Sequence, residues 1–81
     1  MPKLKTLSGA DISKIFADFG FSIAARKGSH AKLRRILPDG TKQILTIPLH
    51  EELDKGTLTA IYKQALRYVP ETELRSHFYS T

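Results

Sequence analysis

The 81-residue sequence predicts an α+β fold: a two-layer sandwich in the order αβββα, with a short extra helix at the C-terminus. Three observations predict it. Apolar residues recur at helical spacing towards both ends of the chain. Between them, three short runs alternate apolar and polar residues at period two, the pattern of half-buried strands. The connections between those runs are tight turns, which join antiparallel neighbours and leave no room for a crossover. Two helices against one face of a three-stranded antiparallel meander then leave the other face open.

Met1 to Leu7 is a basic lead-in containing Lys3 and Lys5. Ser8-Gly9-Ala10-Asp11 has the spacing of a capping box, with Asp in place of the usual Glu, and starts the first helix. Its apolar stripe is Ile12, Ile15, Phe16 and Phe19, and Gly20 ends it. The first strand is expected at 21–26, where Phe21, Ile23 and Ala25 alternate with Ser22, Ala24 and Arg26. Gly28-Ser29 reads as the turn into a second strand at 30–37. There Ala31, Leu33, Arg35 and Leu37 alternate with His30, Lys32, Arg34 and Ile36. Pro38-Asp39-Gly40-Thr41 is a second turn, because proline fixes φ and glycine accepts the left-handed region. The third strand, 42–47, sends Leu45 and Ile47 one way and Ile44 and Thr46 the other, and Pro48 closes it.

Leu49 to Gly56 is expected as a polar connection, with Thr57 capping the second helix. Leu58, Ile61, Tyr62, Ala65 and Leu66 form that helix's stripe. Pro70 opens the last helix, whose first turn carries Glu71 and Glu73, and Leu74 and Phe78 dock it. Neither repeats nor low-complexity tracts divide the chain. Residues 1–81 are therefore expected to form one domain, with a core at about 7–69 and a helical extension at about 70–79.

Composition narrows the function. A chain this short buries a modest fraction of its surface, so function is expected on an exposed face or a partner interface. Without cysteine there is no disulfide framework, no thiolate nucleophile and no Cys-based zinc site. No apolar run approaches a membrane span, and the N-terminus has no signal-peptide core, so a soluble cytoplasmic chain is expected. The net charge of +5 is uneven. Residues 1–50 carry nine Lys/Arg against three Asp, and residues 51–81 carry four against five Asp/Glu. The positive half contains His30, and a basic face of this kind is the footprint of a nucleic-acid ligand. The plainer reading is a solvated, solubilising surface.

Residues two apart on a strand share a face, so His30, Lys32 and Arg34 are expected together on the open side of the sheet. An imidazole beside cations can hold and cut a phosphodiester. RNA brings its own nucleophile, the 2′-hydroxyl, and histidine exchanges protons near neutral pH. Lysine and arginine neutralise the developing phosphate charge without a metal. His30 is thus the candidate general acid or base. Lys32 and Arg34 are candidate phosphate clamps, with Lys27 a secondary one. Ser29 either donates to phosphate or shapes the turn. His50 is either a second catalytic group or a residue that orders its loop. His50-Glu51-Glu52 does not suggest a metal site, because three adjacent residues do not readily face one ion. His77 is expected at the surface and Tyr62 in the core. Tyr68 and Tyr79 flank the last helix and either pack it or meet a partner.

Three motifs in order carry a resemblance. Gly28-Ser29-His30 follows an apolar strand, Ile47-Pro48-Leu49-His50 closes the third strand, and Lys55-Gly56-Thr57-Leu58 opens a helix. With Phe19-Gly20-Phe21 at the end of the first helix, they resemble HicA-type toxins, the mRNA interferases of bacterial and archaeal toxin–antitoxin pairs. The resemblance covers roughly residues 7–69; the tail from Tyr68 resembles an extension found in part of the family. It implies a double-stranded-RNA-binding-domain fold, RNA cleavage through His30 without a cofactor, and a HicB-type antitoxin that covers the active face. In such pairs the antitoxin usually supplies the DNA-binding part. A non-catalytic RNA-binding module of the same fold is the alternative. Direct DNA binding is not expected, since neither helix has the clustered Arg/Lys/Asn/Gln face of a recognition helix.

Overall fold

A computed structural model describes residues 3–80; Met1 and Pro2 of the lead-in, and Thr81, lie outside the described residues. The capping box forms as the sequence predicts. The Ser8 hydroxyl accepts from Asp11 N–H at 3.0 Å, and the Asp11 carboxylate accepts from Ser8 N–H at 2.9 Å. The Ser8 backbone N–H, and then the Ser8 hydroxyl, hold the Asp11 carboxyl below the usual carboxylate range. Helix α1 follows over Gly9–Ala17 and buries Ile12 and Phe16.

The meander consists of β2 (Ser22–Lys27), β3 (His30–Ile36) and β4 (Lys42–Pro48), antiparallel in the spatial order β2-β3-β4. Strand β1 (Lys3–Leu4) precedes α1 and belongs to a separate two-stranded sheet. Helix α2 spans Lys55–Ala65 and α3 spans Glu71–Phe78. Ala31, Leu33, Leu45 and Ile47 form the sheet's contribution to the core. They meet Ile12 and Phe16 of α1, and Leu58, Ile61 and Ala65 of α2. The result is the two-layer αβββα sandwich with a C-terminal helix that the sequence predicts. No helix among the described residues is long and apolar enough to cross a membrane.

Two local expectations need correction. The first strand is not half-buried: all six residues of β2 are exposed, and Ile23 is 57 % exposed. Strand β2 is an edge strand, and a bulge between Ile23 and Ala25 breaks its alternation. Phe21, the first apolar residue of the expected strand, lies just before it and is buried edge-on against Phe16. Second, Asp54 and not Thr57 caps α2, its carboxylate accepting from Thr57 N–H at 2.6 Å. That bond, and then one from the Thr57 hydroxyl, hold the Asp54 carboxyl below the usual range. An acid three residues ahead of Thr57 can close the same turn, and its charge suits the helix dipole. The basic lead-in, about whose structure the sequence says nothing, is tied to the other end of the chain. Lys3 and Leu4 pair with Ser80 and Tyr79 of strand β5 (Tyr79–Ser80), and Lys5 Nζ donates to Ser76 O at 2.8 Å. These pairs join chain ends, so no local pattern announces them.

Helix α3 is docked by Leu74 and Phe78, both fully buried. The Phe78 ring lies 5.2 Å from Tyr62 and 6.2 Å from Phe16, so its aromatic contacts span both α1 and α2. Tyr62 is a core residue, as expected, and its hydroxyl donates to Glu71 at 2.9 Å. Tyr68 packs near Phe21 and Tyr79 near Tyr62. His77 is half-buried, its ring 5.3 Å from Phe19.

Candidate nucleic-acid interface on the open sheet face

The hairpin tip is built by backbone geometry. Lys27 and His30 are register partners, so Gly28-Ser29 is a two-residue loop. Gly28 has φ of 58° and Ser29 has no positive φ, the pattern of a type II′ turn. A Cβ on Gly28 would meet nothing within 4 Å, so glycine is required here by conformation and not by space. On its far side the tip is held down, because Ser29 O accepts from Leu49 N–H.

Directly paired residues of an antiparallel sheet point to the same side. The open face therefore carries His30 with Lys27 and Pro48 beside it, Lys32 with Ala25 and Thr46, and Arg34 with Ser22 and Ile44. His30, Lys27 and Lys32 are exposed and line one shallow cleft with Ala25 and Thr46. Arg34 is half-buried and lies one step further along the strand. At about 3.4 Å per residue, His30 to Arg34 spans roughly 14 Å. Ser29 sits at the turn, outside that cleft's lining.

The bulge decides which cations join the site. Strict alternation from Phe21 would put Arg26 on the open face and Lys27 on the helix face. The bulge adds one residue and reverses both. Lys27 comes to face His30's side, and Arg26 pairs with Ala31 on the helix side. Lys27, a secondary candidate from sequence, is thus the cation directly paired with His30 in the register.

His50 is not part of the cleft. It follows β4, and its carbonyl accepts from Gly9 N–H at 2.9 Å. Its exposed side chain lines a separate hollow with Ser8, Ala10, Arg26, Leu49 and Glu51. Gly9 makes that junction possible: a Cβ there would lie 2.3 Å from Pro48 O. Glu51 adjoins His50 in the sequence, whereas Arg26 joins them only through the bulged register, which local sequence does not reveal. Among the described residues, no group of three or more His, Cys, Asp or Glu is placed to hold a metal ion.

Arg35 is a cation whose role is structural. It points to the helix layer, and its Nη1 donates to Phe19 O and Nη2 to Tyr68 O, both at 2.9 Å. Its Nε donates to Gln43 Oε1 at 2.8 Å, and the guanidinium lies 4.8 Å over the Phe21 ring.

The comparisons with known proteins bear on this arrangement. No curated protein and no solved structure matches the chain. A family model described as the HicA toxin of bacterial toxin–antitoxin systems matches residues 9–66. The match begins at the first residue of α1 and ends at the cap of α2, so it contains the whole meander and the His30 cleft. With most of its length matched, this chain belongs to the HicA toxin family of bacterial toxin–antitoxin systems.

Proposed function

We propose that the protein is a metal-independent endoribonuclease that cleaves mRNA in the cytoplasm and is silenced by a HicB-type antitoxin. One observation supports this most strongly: an exposed imidazole lies on an open sheet face, with Lys27 directly across and Lys32 two residues along, around a single cleft.

In this reading the RNA phosphate sits between His30 and the two lysines. The 2′-oxygen attacks phosphorus as its proton is removed. The P–O5′ bond breaks and the leaving oxygen takes up a proton, giving a 2′,3′-cyclic phosphate and a 5′-hydroxyl. His30 carries out one of the two proton transfers and water the other. Lys27 and Lys32 neutralise charge gathering on the non-bridging oxygens, while Arg34 holds an adjoining phosphate and Ser29 donates from the tip. A shallow cleft with one imidazole suits slow cleavage of flexible single-stranded RNA, whose backbone can bend into it. An antitoxin strand or loop with acidic groups would match the same cations and exclude substrate.

The test incubates wild type and His30→Ala with a defined single-stranded RNA in excess EDTA and maps the product ends. Cleavage by the wild type, reduced at least about 100-fold in the variant and leaving 5′-hydroxyl ends, is the expected result. Equal, salt-sensitive RNA binding by both proteins without cleavage by either would replace this reading with a non-catalytic RNA-binding module.

A further inference from the structure

The hollow on the other side of the hairpin tip is chemically unlike the His30 cleft. Its lining combines a guanidinium (Arg26), an imidazole (His50), a carboxylate (Glu51), the partly buried Leu49, and Ser8 and Ala10 at the start of α1. The bonds that fix this corner are largely made by the backbone: Gly9 N–H to His50 O, Leu49 N–H to Ser29 O, and the Ser8–Asp11 box. The side chains of Arg26, His50 and Glu51 are left exposed.

We propose that this hollow is a base-reading subsite, holding one unpaired nucleobase that carries an exocyclic amino group. The proposal rests on the RNA-directed reading above and adds to it a source of sequence preference. Ligand chemistry follows from the mixed lining. A free phosphate is repelled by Glu51, and a purely apolar ligand leaves Arg26 and Glu51 without partners. A nucleotide satisfies all of them. The flat imidazole of His50 and the apolar Leu49 offer stacking and contact surface to a base. Glu51 is an acceptor-only carboxylate, which pairs with a base amino group such as cytosine N4, whereas uracil presents there the O4 acceptor that repels it and offers only its N3–H as a donor. Arg26 is free for the phosphate that follows.

Position supports the same occupant. Arg26 and Lys27 are consecutive and face opposite sides of the sheet, Arg26 beside Ala31 and Lys27 beside His30. A single strand crossing the two-residue tip would meet the cleft on one side and the hollow on the other. The base read by Glu51 would then flank the phosphate held at His30.

The experiment measures binding of fluorescent oligocytidine and oligouridine by the full chain carrying His30→Ala, with and without Glu51→Gln. Oligocytidine is expected to bind at least about fivefold more tightly, and Glu51→Gln to bring the ratio within about twofold, because an amide can pair with either base. Arg26→Gln is expected to weaken both oligomers alike and to lower the salt slope by about one. Equal affinities for the two oligomers, no measurable binding of either, or a ratio that survives Glu51→Gln would each overturn the subsite. Failure of the nuclease reading looks different. A wild type that never cuts RNA, while the ratio and its loss hold, leaves the subsite standing; a wild type that cuts without any such ratio removes the subsite alone.

Discussion

Along β3 the side chains alternate between two environments, and neighbouring cations meet different fates. Arg35 turns to the helix layer, where backbone carbonyls of Phe19 and Tyr68 and the Gln43 amide take up its donors. Lys32 and Arg34 turn the other way, beside His30, with Thr46 and Ile44 as their neighbours on β4. The same strand thus fastens the scaffold with one face and presents the cleft with the other. The difference teaches that the basic charge of this chain is not one property. A guanidinium bonded to Phe19, Tyr68 and Gln43 is part of the fold, while an exposed ammonium three residues away is available to a ligand.

The largest expected effect is a crossed pair of variants that sets one face against the other. His30→Ala is expected to lose cleavage by at least about 100-fold while the melting temperature hardly moves, since the side chain is exposed. Arg35→Ala is expected to cost about 2–4 kcal/mol of stability, because it strands two partly buried carbonyls and removes a cation from an aromatic face. For a domain of this size that lowers the melting temperature by roughly 10–25 °C. Arg35→Lys is expected to recover little, because an ammonium cannot span three acceptors in a plane. Thermal unfolding and RNA cleavage measured on both variants check the pair. A stable Arg35→Ala protein with impaired cleavage would break the comparison and move Arg35 into the site.

The helix layer can also be probed by pH. Burial, and then the bond to Glu71, push the Tyr62 hydroxyl up to about 12. The folded state therefore holds this proton more tightly than the unfolded chain does. Below pH 10 both states keep it and stability is full. Above that value the unfolded chain releases it first, so stability falls until the folded pKa is passed. Two units correspond to a loss of up to about 3 kcal/mol. Denaturant unfolding at steps between pH 9 and 12 should show this slope in the wild type and a shallower one in Tyr62→Phe, which subtracts everything else that titrates in that range. Identical slopes would mean that this hydroxyl does not couple the α2–α3 junction to folding.

Much of this was legible in the residues, and the misses share a cause. The α1 cap was readable because Ser8 and Asp11 interact within one turn. Ala31, Leu33, Leu45 and Ile47 were readable because β3 and β4 are regular and covered on one side. Strand β2 failed the same test because nothing in its composition reveals an extra residue at the bulge, and one residue of register exchanges the faces of Arg26 and Lys27. The pairing of Lys3–Leu4 with Tyr79–Ser80 links residues more than seventy positions apart, beyond any local period. At the candidate site, His30, Lys32 and Arg34 were placed together by parity alone. The company of His50 depends on the bulge and on the close approach of Gly9 to Pro48, neither of which parity encodes.

The smallest expected effect concerns the point where one face gives way to the other. Gly28 is at φ 58° with open space around it, so Gly28→Ala meets no clash and suffers only the cost of the left-handed backbone. That cost is about 1 kcal/mol, and Gly28→Asn should cost less because asparagine tolerates this region. Stability is therefore expected to fall in the order Gly, Asn, Ala, by amounts small beside the loss at Arg35. If the tip merely closes the hairpin, cleavage should follow stability in the same order and to the same small degree. If instead it sets the spacing between Lys27 and His30, Gly28→Ala should lower cleavage several-fold more than its stability loss accounts for. Both quantities measured on the three proteins decide between these outcomes, since a loop that only connects strands cannot affect cleavage independently of folding.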